Sequence, residues 1–475
     1  MSEDESSAVT THPALTERAR DRTAPLTRAD FAFENRIDGT DAGIEPGTSC
    51  SEAIEAVFER GESIALILDT GTYRIETPIV LEEARSVGLL AKPGAEVRFE
   101  VPKGYDRALL SIRAVEHALL AGIDIDQRAA DAHPKIGISV EQSFLVEDLE
   151  RRDVGDSADS GSRMPLCVER ENGIGVLRGV RAAEGSAFPA DRAAESRRPA
   201  TWIGPESRGT IYFEDCHLEE HNAHAIYAAA TPSPIKVLRG VYRNNDNSQI
   251  RFCGPECEVD GALIELDTEK CSHADHEDYR QTRGLFNEQK KVPRTGGCVR
   301  DTTIRVAAHR NPVGGYVAYG TGGGMTIEGC EFEIDCEGCP AITVDAPSEH
   351  WGHPPAPEPR AIEVLDSRVW GTARSGTAIR IAGRPGSRVE RCCIAGQGDR
   401  CGIDLDAGAV RGTTFDLEAE EVVDAAEIDA IRRGSCTDFF EDRRSTGDQP
   451  PDSKEGDEGD EQGVLRALIE RFDLD

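Results

Sequence analysis

Ile211-Tyr-Phe-Glu-Asp-Cys-His-Leu218 and Ile235-Lys-Val-Leu-Arg-Gly-Val-Tyr242 share one pattern: apolar, any, apolar, any, any, small, any, apolar. The same unit recurs at Met325, Ile327, Cys330, Phe332 and at Ile362, Val364, Ser367, Val369. It returns at Val389, Cys392, Ile394, with looser copies at Ile174, Val176, Gly179 and at Val410, Thr413, Phe415. Successive small positions lie 37, 24, 90, 37, 25 and 21 residues apart, so the longest interval reads as one that holds an insertion. A fixed repeat overrides other arguments about fold, because each unit buries its apolar face only by stacking on a neighbour.

A second strand follows several copies by about ten residues: Ala225-Ile-Tyr-Ala, Gln249-Ile-Arg-Phe, Ala341-Ile-Thr-Val, Ala378-Ile-Arg-Ile and Gly402-Ile-Asp-Leu. Alternation of period two puts Ile226, Ile250, Ile342, Ile379 and Ile403 inside, and Tyr227, Arg251, Thr343, Arg380 and Asp404 outside. Short strands joined by turns at this period describe a solenoid of parallel sheets. The Leu and Asn signature of leucine-rich repeats is absent. Upstream, Ser49-Cys-Ser-Glu52 fits a capping box, and Ala53, Ile54, Val57 and Phe58 form a helical stripe closed by Gly61. Gly71-Thr-Tyr-Arg-Ile75 follows as a short strand.

These features resemble the right-handed parallel β-helix, or pectin-lyase-like, superfamily over roughly residues 31–420. The resemblance implies an all-β solenoid with an N-terminal capping helix. It spans lyases, hydrolases, epimerases and viral tail spikes, so activity has to be argued from a site. The chain lacks an Asp-Asp pair and the Arg-x-Pro-x-x-Arg run of pectate lyases, and its nearest His motif is Trp351-Gly-His353-Pro.

The 475 residues hold 88 Asp plus Glu against 54 Lys plus Arg, a net charge of −34; eight of the cations are Lys. That field repels nucleic acid and anionic membrane. The acidic bias resembles that of proteins from salt-loving archaea. With 38% hydrophobic residues, 5% aromatics and 47 Gly, a thin core with many turns is expected. The acidic start and the lack of an 18-residue apolar run point to a cytoplasmic or virion-associated protein without a membrane span, with thiols kept reduced.

The expected organisation is a flexible arm over 1–30, a β-helix over 31–436 with insertions near 267–298 and 345–360, an acidic linker over 437–463 and a helix over 464–475. Leu465, Leu468, Ile469 and Phe472 share one face of that helix, which suits capping the coil, self-docking or docking on a partner.

Cys216, Cys330 and Cys392 hold the small repeat position and read as structural. Cys253, Cys257, Cys271 and His276 have a spacing open to zinc, or to reduced thiols in a loop. Overlaying the copies at 211 and 235 sets His221 beside Asn245, Asn222 beside Asp246 and Tyr227 beside Arg251. His221, His224, Asp246 and Arg251 are the candidate catalytic group: His as base, Arg251 as anion holder, Asp246 as orienter or second carboxylate. The competing reading has the turn asparagines bonding the next turn and the outer Arg and Asp columns forming ion pairs. Tyr227, Lys290, Lys291 and Trp351 are candidate substrate-binding residues; Trp351 fits either stacking on a sugar or anchoring its loop. Two functions stand at this level: a β-helix that binds or processes a carbohydrate, as lyase or hydrolase, in high salt, and a non-catalytic structural or adhesive rod.

Overall fold

The computed structural model describes residues 23–155, 164–188, 198–436 and 439. Three strands per turn, joined by short bends, wind into a parallel β-helix. The middle strands form a 14-stranded parallel sheet, and the first and third strands belong to a second, 24-stranded sheet. This second sheet covers two faces because the long strands Ala108–Ala121, Lys135–Glu147 and Cys401–Arg411 run through the bend between them.

Register confirms the pleat. Ile211 pairs with Ile235 and Phe213 with Val237; Leu218 pairs with Tyr242; Ile226 pairs with Ile250; Ile342, Ile379 and Ile403 follow in one column. All these side chains are buried. Each contributes about 1.5–3 kcal/mol by leaving water, and identical facing in every turn lets the next residue of the column receive it.

The 90-residue interval is a sequence of further turns as well as loops. Cys257, Val259, Ala262 and Ile264 repeat the pattern, as do Gly297, Val299, Thr302 and Ile304. Val259 pairs with Val237 and with Val299, while Ile264 pairs with Tyr242 and Ile304. Cys and Gly at the first apolar position had hidden both copies. The looser copy at Ile174 is also displaced by one residue. Gly175 pairs with Ile211 and Leu177 with Phe213, so Gly175 and Leu177 face inward. The Phe144 ring fills the space that a side chain at 175 would take: a Cβ there would lie 2.4 Å from it.

Val176 therefore faces outward, yet it is fully buried. Ala24 and Phe31 lie over it with Leu119, Ala121 and Leu145, and Arg178 donates to the Leu26 carbonyl at 2.8 Å. Residues 23–30, inside the expected arm, are thus tied to the outer face of the coil. The rest of that arm, the linker and the 464–475 helix lie outside the described residues.

The capping helix is Ser51–Phe58, with Ile54, Val57 and Phe58 buried. Its N-cap is Cys50 without a side-chain cap bond, not Ser49. Ser49 instead forms a parallel bridge to Arg74, and the Cys50 amide donates to the Arg74 carbonyl at 3.0 Å. Pairing with the first turn takes the residue that the capping box needed. At the other end Cys393 and Cys436 form a disulfide across a separation of 43 residues. The other twelve cysteines are free.

The Phe144–Gly175 fit gives a double-mutant test. Gly175→Val should cost about 1–3 kcal/mol through overpacking and Phe144→Ala about 3–5 kcal/mol through a cavity. The double variant should lose less than the sum in urea unfolding, because each change relieves the other; strictly additive losses would contradict the packing.

Candidate functional site

The outward column of the 24-stranded sheet runs Trp202, Tyr227, Arg251, Phe286, Val317, Thr343, Arg380, Asp404, each paired with the next. Parallel register places these side chains about 4.8 Å apart along the coil. In its middle the column becomes a strip of alternating cations and rings. The Arg251 guanidinium lies 4.7 Å from the Tyr227 ring centre and 4.9 Å from that of Phe286. Arg283 follows at 4.6 Å from Phe286 and 5.0 Å from Tyr319. Tyr319 meets His350 edge-on at 5.1 Å, His350 stacks on Trp351 at 5.1 Å, and the Lys290 ammonium sits 4.5 Å from the Trp351 ring centre.

The loops that bring Lys290 and Trp351 together are fastened to each other and to the coil. Gln289 donates to the Pro354 carbonyl at 3.3 Å and accepts from the Arg294 amide at 2.7 Å. The Lys290 amide donates to the Ala229 carbonyl at 2.6 Å. His350 and His353 form an antiparallel bridge around Trp351, whose φ of 52° is left-handed. Gly352 follows with φ 76°, so the two residues between the bridge partners both take the left-handed values that a two-residue hairpin turn requires. Trp351 is 73% exposed, with His350 and Lys290 against its ring.

Charge on the strip is unusual for this chain. Many Arg residues elsewhere stand in ladders with carboxylates: Arg243 bridges Glu219 at 3.5 Å and Glu265 at 2.6 Å, and Arg305 bridges Glu265 and Glu333 at 3.1 Å each. On the strip Arg251 pairs with buried Glu288, while Arg283 bonds the Tyr319 hydroxyl. Burial, and then the Arg251 charge, push the Lys290 ammonium down to about 8. Burial likewise brings Arg251 down to about 10.

Of the four candidate catalytic residues, the structure brings His224 and Arg251 together. His224 Nδ1 lies 2.8 Å from Ser248 Oγ, and Arg251 Nη1 lies 3.3 Å from His224 Nε2. Because arginine only donates, Nε2 accepts and Nδ1 carries the proton. Burial holds the imidazole well below its ordinary range, helped by Arg251, Arg283 and Lys290. The lone pair a base would need is thus occupied.

His221 and Asp246 are not on the strip. They lie in the turns before its strands, at 1% and 0% exposure. The Asp246 amide donates to the His221 carbonyl at 2.9 Å, and Asp246 Oδ1 accepts from the Arg280 amide at 3.1 Å. Asn245 stitches the same turns, accepting from the His221 amide at 3.1 Å and donating to the Leu218 carbonyl at 2.9 Å. Lys291 is exposed in the same loop as Lys290.

Among the described residues no group of three or more His, Cys, Asp or Glu is placed to hold a metal ion. Cys257 is buried in the first apolar position of its turn, its thiol 3.8 Å from the Cys253 carbonyl; Cys253 meets the Arg294 carbonyl at 3.5 Å. Cys271 pairs with the Tyr279 hydroxyl at 3.3 Å, and His276 with the Thr268 hydroxyl. Cys216, Cys330 and Cys392 bond carbonyls of their own and the preceding turn at 3.4–3.6 Å, and burial raises all three thiols.

Arg283, Phe286, Glu288 and Tyr319 were missed as site residues. Their signal lay in Gly284-Leu-Phe-Asn287 and Tyr316-Val-Ala318, which place Leu285 and Tyr316 inward and Phe286 outward. Arg283 also leads beyond the strip. Its Nη1 donates to the Asn247 carbonyl at 3.2 Å and the Gln281 carbonyl at 3.1 Å. Both residues line a shallow cavity of about 490 Å³ with Tyr279, Arg280 and the Glu277–Arg310 ion pair of 3.0 Å.

No family model and no curated protein matches the chain. Among solved structures it is similar to PfbA, a surface adhesin of Streptococcus pneumoniae, with 11% identity, a TM-score of 0.48, and 84% of this chain and 92% of that one covered. The Agl-KA catalytic domain gives 11% identity and a TM-score of 0.43 over 87% of this chain and 69% of that one. A catalytic domain of GH87 α-1,3-glucanase gives 8% and 0.41 over 88% and 70%.

Imidazole nitrogen shifts test the electrostatics of the site. His224 should stay neutral with Nδ1 protonated at pH 5, and Arg251→Gln should raise its pKa by removing one of the charges that oppose protonation. A wild-type titration near 6.5 would contradict the arrangement.

Proposed function

We propose that the chain binds an acidic carbohydrate at the exposed end of the strip, where Trp351 and Lys290 meet, without cleaving it. The carrying observation is Trp351, exposed at the tip of its hairpin with Lys290 against its ring. An indole face suits the apolar face of a sugar ring, and the ammonium beside it suits that sugar's carboxylate or sulfate.

Binding is favoured over cleavage by the state of the candidate acid–base groups. His224 has its acceptor nitrogen occupied by Arg251, and His221 and Asp246 are closed off from solvent. A lyase needs a free base beside its anion holder, and a hydrolase needs two accessible carboxylates. Glu288, the carboxylate beside the strip, is spent on Arg251 and is 2% exposed.

Calorimetry with a polyuronate oligosaccharide tests this. Trp351→Ala should weaken binding about tenfold, which is about 1.4 kcal/mol, and Lys290→Ala should weaken it with a reduced dependence on salt. Affinity should fall as pH rises through about 8, where Lys290 loses its charge, and Lys290→Arg should flatten that profile. Equal affinity for a neutral oligosaccharide of the same length, or an unaffected Trp351→Ala, would sink the reading. Release of unsaturated ends would show that the site cleaves.

A further inference from the structure

Arg384 is fully buried in the bend after the strand Thr377–Ile381, and no carboxylate among the described residues pairs with it. Its guanidinium ends on five main-chain carbonyls instead. Nε donates to Asp345 at 2.9 Å and Nη2 to Tyr319 at 3.1 Å. Nη1 donates to Gly322, Gly323 and Arg360 at 3.0, 3.3 and 3.3 Å.

These carbonyls belong to the segments that build the Trp351–Lys290 surface. Asp345 and Arg360 are the two roots of the loop that carries Trp351 at its tip. Tyr319 supplies the ring that His350 meets at 5.1 Å. Gly323 leads toward Lys290: its amide donates to Asn287 Oδ1 at 3.2 Å, its carbonyl accepts from Asn287 Nδ2 at 3.0 Å, and Asn287 ends the strand just before Lys290. The same segments are bonded to one another around the guanidinium. The Ser348 amide donates to the Gly320 carbonyl at 3.1 Å, and the Thr295 hydroxyl bonds the Pro359 carbonyl and accepts from the Gly324 amide at 2.9 Å. Gly320 permits this approach, since a Cβ there would lie 2.0 Å from Ser348 Oγ.

We infer that Arg384 is the positioning residue of this surface: it fixes both roots of the Trp351 loop and the segment beneath it, and so sets where the indole stands relative to Lys290. Buried carbonyls left without a donor are costly, so the segments stay where one planar fork reaches them all. Lysine keeps the charge but donates from a single nitrogen, which cannot span carbonyls arranged around a plane. A ring already held in place loses less freedom when a ligand arrives. The consequence for affinity rests on the carbohydrate site proposed above; the placement of Trp351 does not.

Fluorine NMR of the full chain labelled with fluorotryptophan tests the placement in the absence of ligand. The chain has three Trp, at 202, 351 and 370, and Trp351→Phe identifies the line of interest. Arg384→Lys should shift or broaden the Trp351 line and leave the other two in place. In calorimetry it should weaken polyuronate binding about tenfold by loss of preorganisation, and it should add nothing to Trp351→Ala, because Arg384 acts through that ring. An unmoved Trp351 line overturns the proposal. Loss of all three lines also overturns it, by making Arg384 a support of the whole coil. A wild type that binds no polyuronate while its Trp351 line still responds to Arg384→Lys ends the carbohydrate reading and upholds the positioning role.

Discussion

Parallel register with a two-residue pleat is the constraint on which the molecule rests. Once Ile226 pairs with Ile250 and Tyr227 with Arg251, every later strand on that face inherits the same inside and outside. A slip of one residue would turn the core column out to water. The same rule that stacks apolar side chains inside also stacks polar ones outside, so outer side chains meet neighbours from adjacent turns. What those neighbours are decides whether a patch is structural or available.

Most of the outer surface resolves into structure. The Glu219–Arg243–Glu265–Arg305–Glu333 ladder alternates sign from turn to turn, and its last carboxyl is raised to about 7 by burial. Pairs buried this far give back much of their attraction as lost hydration, yet they cancel repulsion that a chain of −34 would otherwise direct at its own faces. The strip departs from that scheme because rings stand between its cations: Arg251 keeps one carboxylate, Glu288, while Arg283 and Lys290 lie against Phe286, Tyr319 and Trp351. Of its cations Lys290 is the one that is both partly exposed and beside an exposed ring.

The repeat and its facing were legible because Ile, Val and Phe recur at fixed offsets wherever turns are short. The offset of 24 residues correctly set Tyr227 beside Arg251. It failed beyond that point, since the loops after Asp267 and Asn287 stretch the spacing and Phe286 falls 35 residues after Arg251. Polar and small residues inside the coil were illegible for a different reason. Gly175 faces inward because Phe144 occupies its space, and Arg151 stands in the Ile125 column, bonded to Gln127 and the Pro134 carbonyl at 2.9 and 2.6 Å. Such residues are specified by their neighbours in the adjacent turn, which a one-dimensional pattern does not see. The histidines misled in a similar way: His221 and His224 are three residues apart, but the bend between them sends one into a closed turn and the other onto the face.

The account's central claim is that the outer column becomes a ligand surface where Trp351 and Lys290 meet. A crystal structure of the full chain soaked with an acidic oligosaccharide examines it most directly. The account predicts a sugar ring stacked on Trp351 with its acidic group within hydrogen-bond distance of Lys290. A ligand bound on another face, with Trp351 bare, would contradict it.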